Sequence, residues 1–302
     1  GSEEIRTVSE GLTLTFDRPI SFEQSTGGLA DQANGPQVRK LSLAGRLAPG
    51  QQAFPVAART DSGETDTSVV LERTMRDGAK NVIGREVMIV PAVDADLDSG
   101  DIQARGPGAL IHWRPGGEGE SGGLFGSAAP AQGQDKAEGQ PGVTCLHVNF
   151  DGQLTANSKR TEMQIDGQVR GVFGPVKAWD EQLNPAQAPP PAGCTRLTCQ
   201  SVSLVQWTPE AAGSPMTELI ATGDAVILGE AFEARGRRVS YNQQNDLLVL
   251  EGDGRTDANL WHATRPGAPR NQLVAGKILY RPGDGWTQIE KVRSATINQQ
   301  GR

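Results

Sequence analysis

The chain has 302 residues, of which 36% are apolar and 38 are glycine; this is roughly the length of two average domains and the composition of a folded protein. Its 29 basic and 36 acidic side chains give a net charge of −7, which disfavours binding to a nucleic-acid backbone. No apolar run approaches the roughly 18 residues of a membrane-spanning helix. We therefore predict no nucleic-acid partner and no transmembrane segment.

Short segments with strand patterns follow one another along the chain, and helical patterns are almost absent. The segments are apolar or alternating, and Gly, Pro, Asp or Asn interrupts them about every 8–12 residues. The predicted strands are Leu12–Phe16, Val87–Val90, Ile102–Ala104, Thr161–Ile165, Leu197–Val205, Glu218–Leu228, Arg238–Tyr241, Leu247–Leu250 and Ile278–Tyr280. This spacing is typical of an all-β sandwich or barrel-like fold.

Internal similarity indicates that the fold is built from repeats. Residues 143–150 (VTCLHVNF) are similar to residues 197–204 (LTCQSVSL), and residues 163–169 are similar to residues 219–225. A strand–turn–strand unit of this kind cannot bury its own apolar face, so copies must stack with their strands paired. We predict stacked antiparallel β-hairpin repeats.

Two segments interrupt the strand pattern. Residues 115–141 are rich in Gly, Ala and Gln and have almost no large apolar side chain, which is typical of a linker or a long loop. Asn184–Gly193, with three consecutive prolines, is a shorter and stiffer insertion. We therefore predict an N-terminal β unit over residues 1–114, a linker or long loop over residues 115–141, and a C-terminal β unit over residues 142–302.

Patterns that could carry catalysis lack the flanking elements that the chemistry requires. Ser121 fits G-x-S-x-G and residues 117–122 fit G-x-G-x-x-G, but neither has a strand before it and a helix after it. Asp94–Asp101 carries alternate aspartates that could bind calcium, although a hairpin tip explains them equally well. The histidines are too far apart in sequence to indicate a metal site: His112, His147 and His262. We predict no catalytic residue, no metal and no cofactor.

The three cysteines leave several arrangements open. Cys145 and Cys199 occupy equivalent repeat positions, so stacking could bring them within disulfide range. Cys194 lies five residues before Cys199 and could form a local bridge. The sequence does not decide between these pairings, or between one disulfide and three free thiols.

The C-terminal strands carry a pattern that resembles a known family. Ile220–Ile227, Phe232–Tyr241 and Asp246–Gly252 are similar to the repeat of the OstA/LptA-like proteins of lipopolysaccharide transport. That repeat runs A-x-G-x-V, then apolar-x-A-x-x-V-x-Y, then a turn, then apolar-x-x-x-G. Ala275–Tyr280 resembles the next marker strand, and Ser99–Gly108 resembles a divergent earlier copy.

The good match covers about residues 197–292, a weaker match covers about residues 82–175, and residues 1–80 match little. The resemblance implies one or two open β-jellyroll units, each a V-shaped pair of antiparallel sheets with apolar inner faces. In the family, such units stack edge to edge into a periplasmic bridge, and lipopolysaccharide slides along the groove with its acyl chains inside.

What the resemblance implies for function is a non-enzymatic lipid-binding and transport protein of the cell envelope, located in the periplasm and serving outer-membrane biogenesis. Its partners would be lipopolysaccharide or a similar amphipathic lipid, and other β-jellyroll envelope proteins that pair through sheet edges. The alternative is a structural or assembly β-repeat module with a closed core that acts only through protein–protein contacts.

Alternation in the matched strands predicts the residues that line this groove. They are Phe232, Val239, Tyr241, Leu248, Leu250, Ile278 and Tyr280. A slip of one residue in register would expose the opposite set of side chains. Candidates for contacts with a lipid headgroup are Arg235, Arg237 and Arg238, which a solvated strand face also explains.

Overall fold

A computed structural model of the protein describes residues 2–9, 11–16, 38–45, 69–116, 142–207, 216–242, 244–263 and 269–296. Within these ranges the chain forms eighteen β-strands and no helix. In chain order they are β1 (Ser2–Val8), β2 (Gly11–Phe16), β3 (Val38–Ala44), β4 (Val69–Arg76), β5 (Val82–Val90), β6 (Ala92–Asp96), β7 (Asp101–Arg105), β8 (Gly108–Gly116), β9 (Gly142–Phe150), β10 (Gln153–Asn157), β11 (Glu162–Val176), β12 (Thr195–Trp207), β13 (Met216–Leu228), β14 (Phe232–Asn242), β15 (Leu247–Glu251), β16 (Ala258–His262), β17 (Asn271–Arg281) and β18 (Trp286–Thr296).

The all-β class is confirmed, and each predicted strand overlaps an observed one. Across the described ranges there is no helix with the length and apolarity that a membrane crossing requires. All neighbouring strands are antiparallel, and together they form one continuous sheet of eighteen strands.

Register shifts mark a bend across this sheet, and side chains from the two halves on either side of the bend pack together in one core. We call this bent sheet the V, and the edges of its two halves that lie far from the bend its mouth. The chain crosses the bend repeatedly, and we call each crossing a pass. A pass begins at the mouth on one half of the sheet and ends at the mouth on the other half. The later passes are single long strands such as β11, whose register with β12 shifts between Asp166 and Val169. The earlier passes are broken at the bend, as β5 and β6 are at Pro91. Successive passes pair side by side in chain order, which confirms the stacked antiparallel hairpins.

We call the two halves sheet 1 and sheet 2. Sheet 1 contains β1, β4, β5, β8, β9 and β16, and sheet 2 contains β2, β3, β6, β7, β10 and β15. Each of the long strands β11, β12, β13, β14, β17 and β18 contributes one half to sheet 1 and the other half to sheet 2.

Cross-strand register aligns one row of inward-facing residues on each sheet. The row on sheet 1 is Leu71, Met88, Leu110, Val148, Gly171, Leu197, Ile227, Ala234, Leu260 and Leu273. The row on sheet 2 is Leu14, Leu41, Ala95, Ile102, Ala156, Met163, Leu204, Leu219, Tyr241, Leu248 and Tyr280. Apolar side chains from both sheets pack together between them and form the main core.

Glycines mark the bend because neighbouring passes approach too closely there for a side chain. A Cβ atom on Gly152 would lie 2.5 Å from the carbonyl oxygen of Asp166. Gly167 and Gln168 have positive φ angles of 84° and 50°, and residues 223 and 224 repeat this conformation with 79° and 52°. The similarity between residues 163–169 and 219–225 is therefore a structural repeat, in which glycine supplies the left-handed backbone at the bend.

A second apolar cluster covers the outer face of sheet 1, and we call it the outer cluster. Residues 177–194, which connect β11 to β12 and are called the insertion below, fold back over it. Its buried members are Val87, Ile89, Ile111, Trp113, Val143, Cys145, Val172, Val176, Leu183 and Cys194. The Trp113 indole donates a hydrogen bond of 2.7 Å to the Glu181 carbonyl oxygen, so residues 177–194, which include the predicted insertion Asn184–Gly193, cover this face.

The predicted boundary between two β units falls inside one sheet. β8 ends at Gly116, β9 begins at Gly142, and the two strands pair from Gly108 opposite Phe150 to Gly116 opposite Gly142. The main core also takes side chains from both predicted units. Residues 1–114 and 142–302 thus share one sheet and one core in their described parts. Ser121 and the glycine-rich patterns around it lie outside the described residues.

Candidate functional site

The two sheets meet at the C-terminal end of the V and close its mouth. Phe232 and His262 on sheet 1 both contact Tyr280 on sheet 2, with a separation of 5.6 Å between ring centroids in each pair. Phe232 and Tyr280 are only 5% and 4% exposed. Three aromatic rings therefore seal this end.

The residues predicted to line the groove are buried between the two sheets. The exposed fractions of their side chains lie between 0% and 5%: Phe232, Val239, Tyr241, Leu248, Leu250, Ile278 and Tyr280. All seven belong to the closed part of the main core. They fill the space between the sheets and do not line an open groove.

The three predicted headgroup contacts point away from the space between the sheets. Along β14 the buried residues alternate with Arg235, Arg237 and Arg238, all of which are exposed. Arg235 contacts Glu233 at 2.6 Å and lies 5.4 Å from the centre of the Trp261 ring, while Arg237 contacts Asp224 at 3.1 Å. A lipid at the mouth of the V could not reach them, so their geometry gives no support to a headgroup role.

Toward the N-terminal half the same inner rows become partly exposed, and we call this part the N-terminal groove. The partly buried apolar residues of sheet 1 there are Leu71, Met88, Leu110 and Leu146. Those of sheet 2 are Leu41, Ile102, Ala156 and Met163. At the end of the sheet-2 row, Leu14 is 40% exposed and its neighbour Leu12 is 60% exposed. Among the described residues, the inner apolar face is thus partly exposed here, whereas its C-terminal part is buried.

A cavity of about 50 Å³ lies in the groove between the two sheets. Leu110, Leu146 and Phe173 line it from sheet 1, and Met163 and Leu204 line it from sheet 2. Its walls are almost wholly apolar. The cavity suits the end of a hydrocarbon chain, and the flexible thioether of Met163 can move to admit more of it.

Charged side chains follow the groove along the mouth of sheet 1. Arg73 contacts Glu3 at 2.7 Å and Glu86 at 3.5 Å, and Nδ1 of His112 lies 3.7 Å from Glu86. The Arg114 guanidinium lies 5.7 Å from the centre of the Phe173 ring. The mouth therefore joins an apolar interior to a charged rim. The sequence pattern does not single out these rim residues, because consecutive apolar residues in β4 (Val69–Leu71) and β8 (Ala109–Ile111) obscure the alternation.

The aspartate-rich segment Asp94–Asp101 forms the turn between β6 and β7. One carboxylate oxygen of Asp96 accepts hydrogen bonds of 3.0 Å from the backbone amides of Asp98 and Ser99. The bond from Ser99 is the main cause of the lowered pKa of Asp96. This is the hairpin-tip arrangement that Asp favours. Among the described residues, no group of three or more His, Cys, Asp or Glu side chains is placed to hold a metal ion.

The three cysteines are buried and free. Cys145 lies in the outer cluster and Cys199 in the main core, on opposite faces of the sheet. The predicted equivalence of their positions is therefore wrong, because Gly171 pairs with both Val148 and Leu197, so Leu197 stands in register with Val148 and not with Val143. The structure instead places Cys194 beside Cys145, a pair that the repeat did not indicate.

Burial lowers the pKa of all three histidines, so we expect the protein to lose stability on mild acidification: His112, His147 and His262. His147 is 7% exposed, and its Nδ1 lies 2.6 Å from the Leu183 carbonyl oxygen. The unfolded chain takes up protons at histidine near pH 6.5, whereas the folded chain does so only at lower pH. This contribution is therefore complete above pH 6.5 and is lost as the pH falls through the folded pKa.

Urea denaturation at about pH 7.5 and about pH 5.5 measures this effect, and we expect about 1 kcal/mol less stability from His147 at the lower pH. In a His147→Gln variant the difference between the two pH values should shrink. Equal stability of the native protein at both pH values would contradict the prediction.

Comparison of the sequence with protein-family models and with curated proteins gives no significant match. The functional interpretation therefore depends on the geometry of the N-terminal groove, and the OstA/LptA-like assignment stays a prediction.

Proposed function

We propose that the chain is a non-enzymatic lipid-binding protein of the cell envelope, which holds acyl chains of lipopolysaccharide or a similar amphipathic lipid in the N-terminal groove. One observation carries the proposal: two facing rows of partly exposed apolar side chains run across neighbouring strands of sheets 1 and 2. Monomeric proteins rarely leave such a contiguous apolar surface uncovered unless it binds a partner or a lipid.

The energetics of this binding follow from the walls of the groove. Each methylene group that leaves water contributes about 0.8 kcal/mol, so eight buried methylenes supply roughly 6 kcal/mol before the costs of association. The headgroup would stay at the mouth, where Arg73, His112 and Arg114 lie on the inner side of sheet 1. Arginine is well suited to phosphate groups because its guanidinium donates hydrogen bonds in pairs.

Bare strand edges support the second part of the proposal, pairing with other β-jellyroll proteins of the envelope. Among the described strands, β1 pairs only with β4, and all its residues from Ser2 to Val8 are exposed. At the other end, β18 pairs only with β17 and is largely exposed. An unpaired strand edge offers backbone groups to a further strand, so both ends of the sheet are suited to edge-to-edge stacking in the periplasm.

Native mass spectrometry of the protein after incubation with lipid A or phosphatidylglycerol tests the lipid proposal. We expect an adduct of one lipid per chain that is lost in Leu146→Arg, because the new charge would lie in the cavity. The matched control Val8→Arg adds the same charge at a residue that is 66% exposed, and it should keep the adduct. A photoactivatable fatty acid should label peptides from β8, β9 and β11.

A clean apo mass for the native protein, or an adduct that survives Leu146→Arg, would contradict the groove. A clean apo mass would also favour the second candidate, an assembly module that acts only through protein contacts. A specific observation supports this candidate too, because Phe232, His262 and Tyr280 close the C-terminal half of the V.

A further inference from the structure

Two of the three cysteines meet on the outer face of sheet 1, where a glycine leaves room for them. A Cβ atom on Gly174 would lie 2.9 Å from both Cα and Cβ of Cys194, and closer still to its sulfur. Cys194 therefore occupies the place that a side chain at position 174 would take. This position is directly opposite Cys145 in the antiparallel pair of β11 and β9.

This register places the two thiols within reach of each other. Directly opposed residues of an antiparallel pair have Cβ atoms about 4.5–5.5 Å apart, and a disulfide requires a Cβ separation of about 3.5–4.5 Å. Because Cβ of Cys194 lies 2.9 Å from the Cβ position of Gly174 and its sulfur lies closer still, the two cysteines occupy neighbouring places on one face of the sheet, where rotation of their side chains can bring the sulfur atoms together. Cys199 faces the main core on the other side of the sheet and cannot compete for either thiol.

We propose that Cys145 and Cys194 form a disulfide when the protein folds in an oxidising compartment, and that this bond fastens the insertion over the outer cluster. The two thiols lose two protons and two electrons as the S–S bond forms, and a disulfide oxidant such as oxidised glutathione is reduced to two thiols. Cys145 and Cys194 are 0% and 2% exposed, so the exchange takes place during folding, before the insertion docks.

The bond would reinforce contacts that otherwise depend on a few hydrogen bonds. Besides the bond from Trp113, the insertion accepts one of 3.1 Å from Arg85 at the Trp179 carbonyl oxygen. Linking Cys145 to Cys194 closes a loop of about 50 residues, which restricts the unfolded chain. We expect reduction to lower Tm by roughly 5–10 °C. This proposal is independent of lipid binding.

Counting thiols tests the proposal on the complete chain, refolded in a glutathione redox buffer or secreted into an oxidising compartment. Unfolding in iodoacetamide without reductant should modify Cys199 alone, and reduction should make all three cysteines reactive. Peptide mapping should find Cys145 and Cys194 in one linked peptide. The control Cys199→Ser should keep this linked peptide, whereas Cys194→Ser should expose two reactive thiols.

Three modified cysteines in the unreduced protein, or a linked peptide that contains Cys199, would overturn the proposal. The claim that the disulfide fastens the insertion is tested separately by thermal unfolding. Reduction should lower the Tm of the native protein and leave the Tm of Cys194→Ser unchanged. Equal Tm values before and after reduction of a bridged protein would show that the bond does not fasten the insertion.

Discussion

Replacing Trp113 with alanine is expected to lower the free energy of unfolding by about 3–5 kcal/mol. Trp113 is 0% exposed at the centre of the outer cluster. Its ring lies 5.0 Å from the Arg85 guanidinium, and its Nε1–H donates to the Glu181 carbonyl oxygen. Alanine would leave a large cavity and an unpaired carbonyl, so the insertion should detach. Urea denaturation measures the first effect, and trypsin cleavage after Lys177 measures the second.

Trp286 supplies the matched control for this prediction. The Arg281 guanidinium lies 5.2 Å from the centre of its ring, so it has the same kind of cation–π contact, but Trp286 is 41% exposed on β18. Trp286→Ala should therefore cost no more than about 1 kcal/mol and should not affect cleavage after Lys177. Similar losses of stability in both variants would mean that the outer cluster does not hold the insertion.

Replacing Tyr280 with alanine should open the closed end of the V. The Tyr280 ring contacts both Phe232 and His262 from the opposite sheet. We expect a loss of about 3–5 kcal/mol in the free energy of unfolding, because a cavity replaces the ring. This cavity should open the mouth at the C-terminal end, so a dansyl-labelled fatty acid should bind more tightly than to the native protein.

Tyr280→Phe is the control, since it keeps the ring and removes only the hydroxyl group. Its stability should stay within about 1 kcal/mol of the native protein, and its affinity for the dansyl-labelled fatty acid should be unchanged. If Tyr280→Ala bound the probe no better than Tyr280→Phe, the aromatic contact would not be what limits the groove. If Tyr280→Ala kept full stability, the ring would not be a closing contact at all.

A strand could be predicted from the sequence wherever one of its faces is buried and the other is exposed to solvent. In β14 and β15 buried and exposed residues alternate, and this alternation marks both the strand and its inward residues. β1 is exposed along its whole length, so it has no buried face and therefore no pattern to detect. The same holds for most of β18.

The open or closed state of the groove could not be predicted, because it depends on the distance between two sheets and not on register. Val239 and Leu250 face inward as the alternation predicts, yet both are 0% exposed. Leu110 and Met163 also face inward and line the cavity. The difference arises from ring contacts such as that between Phe232 and Tyr280, which join residues far apart in the sequence.

The pairing of the cysteines shows a second limit of pattern reasoning. Residues 143–150 and 197–204 are similar in sequence, but Leu197 stands in register with Val148 and not with Val143, which places Cys199 on the opposite face from Cys145. An offset by an odd number of residues reverses the direction of every side chain in a strand. The neighbour of Cys145 comes instead from the insertion, whose path over the sheet no repeat describes.

Because the passes pair side by side in chain order, their interfaces form an almost linear series. Each pass pairs only with the passes before and after it, so stability is close to a sum of local interfaces, and unfolding can begin at either end without involving the whole chain. β18 is held by one such interface, whereas β11 joins the passes on its two sides. The length of the groove depends in the same way on the number of paired strands. Gain or loss of one hairpin would change it by roughly 10 Å, two strand spacings, and would leave its cross-section unchanged.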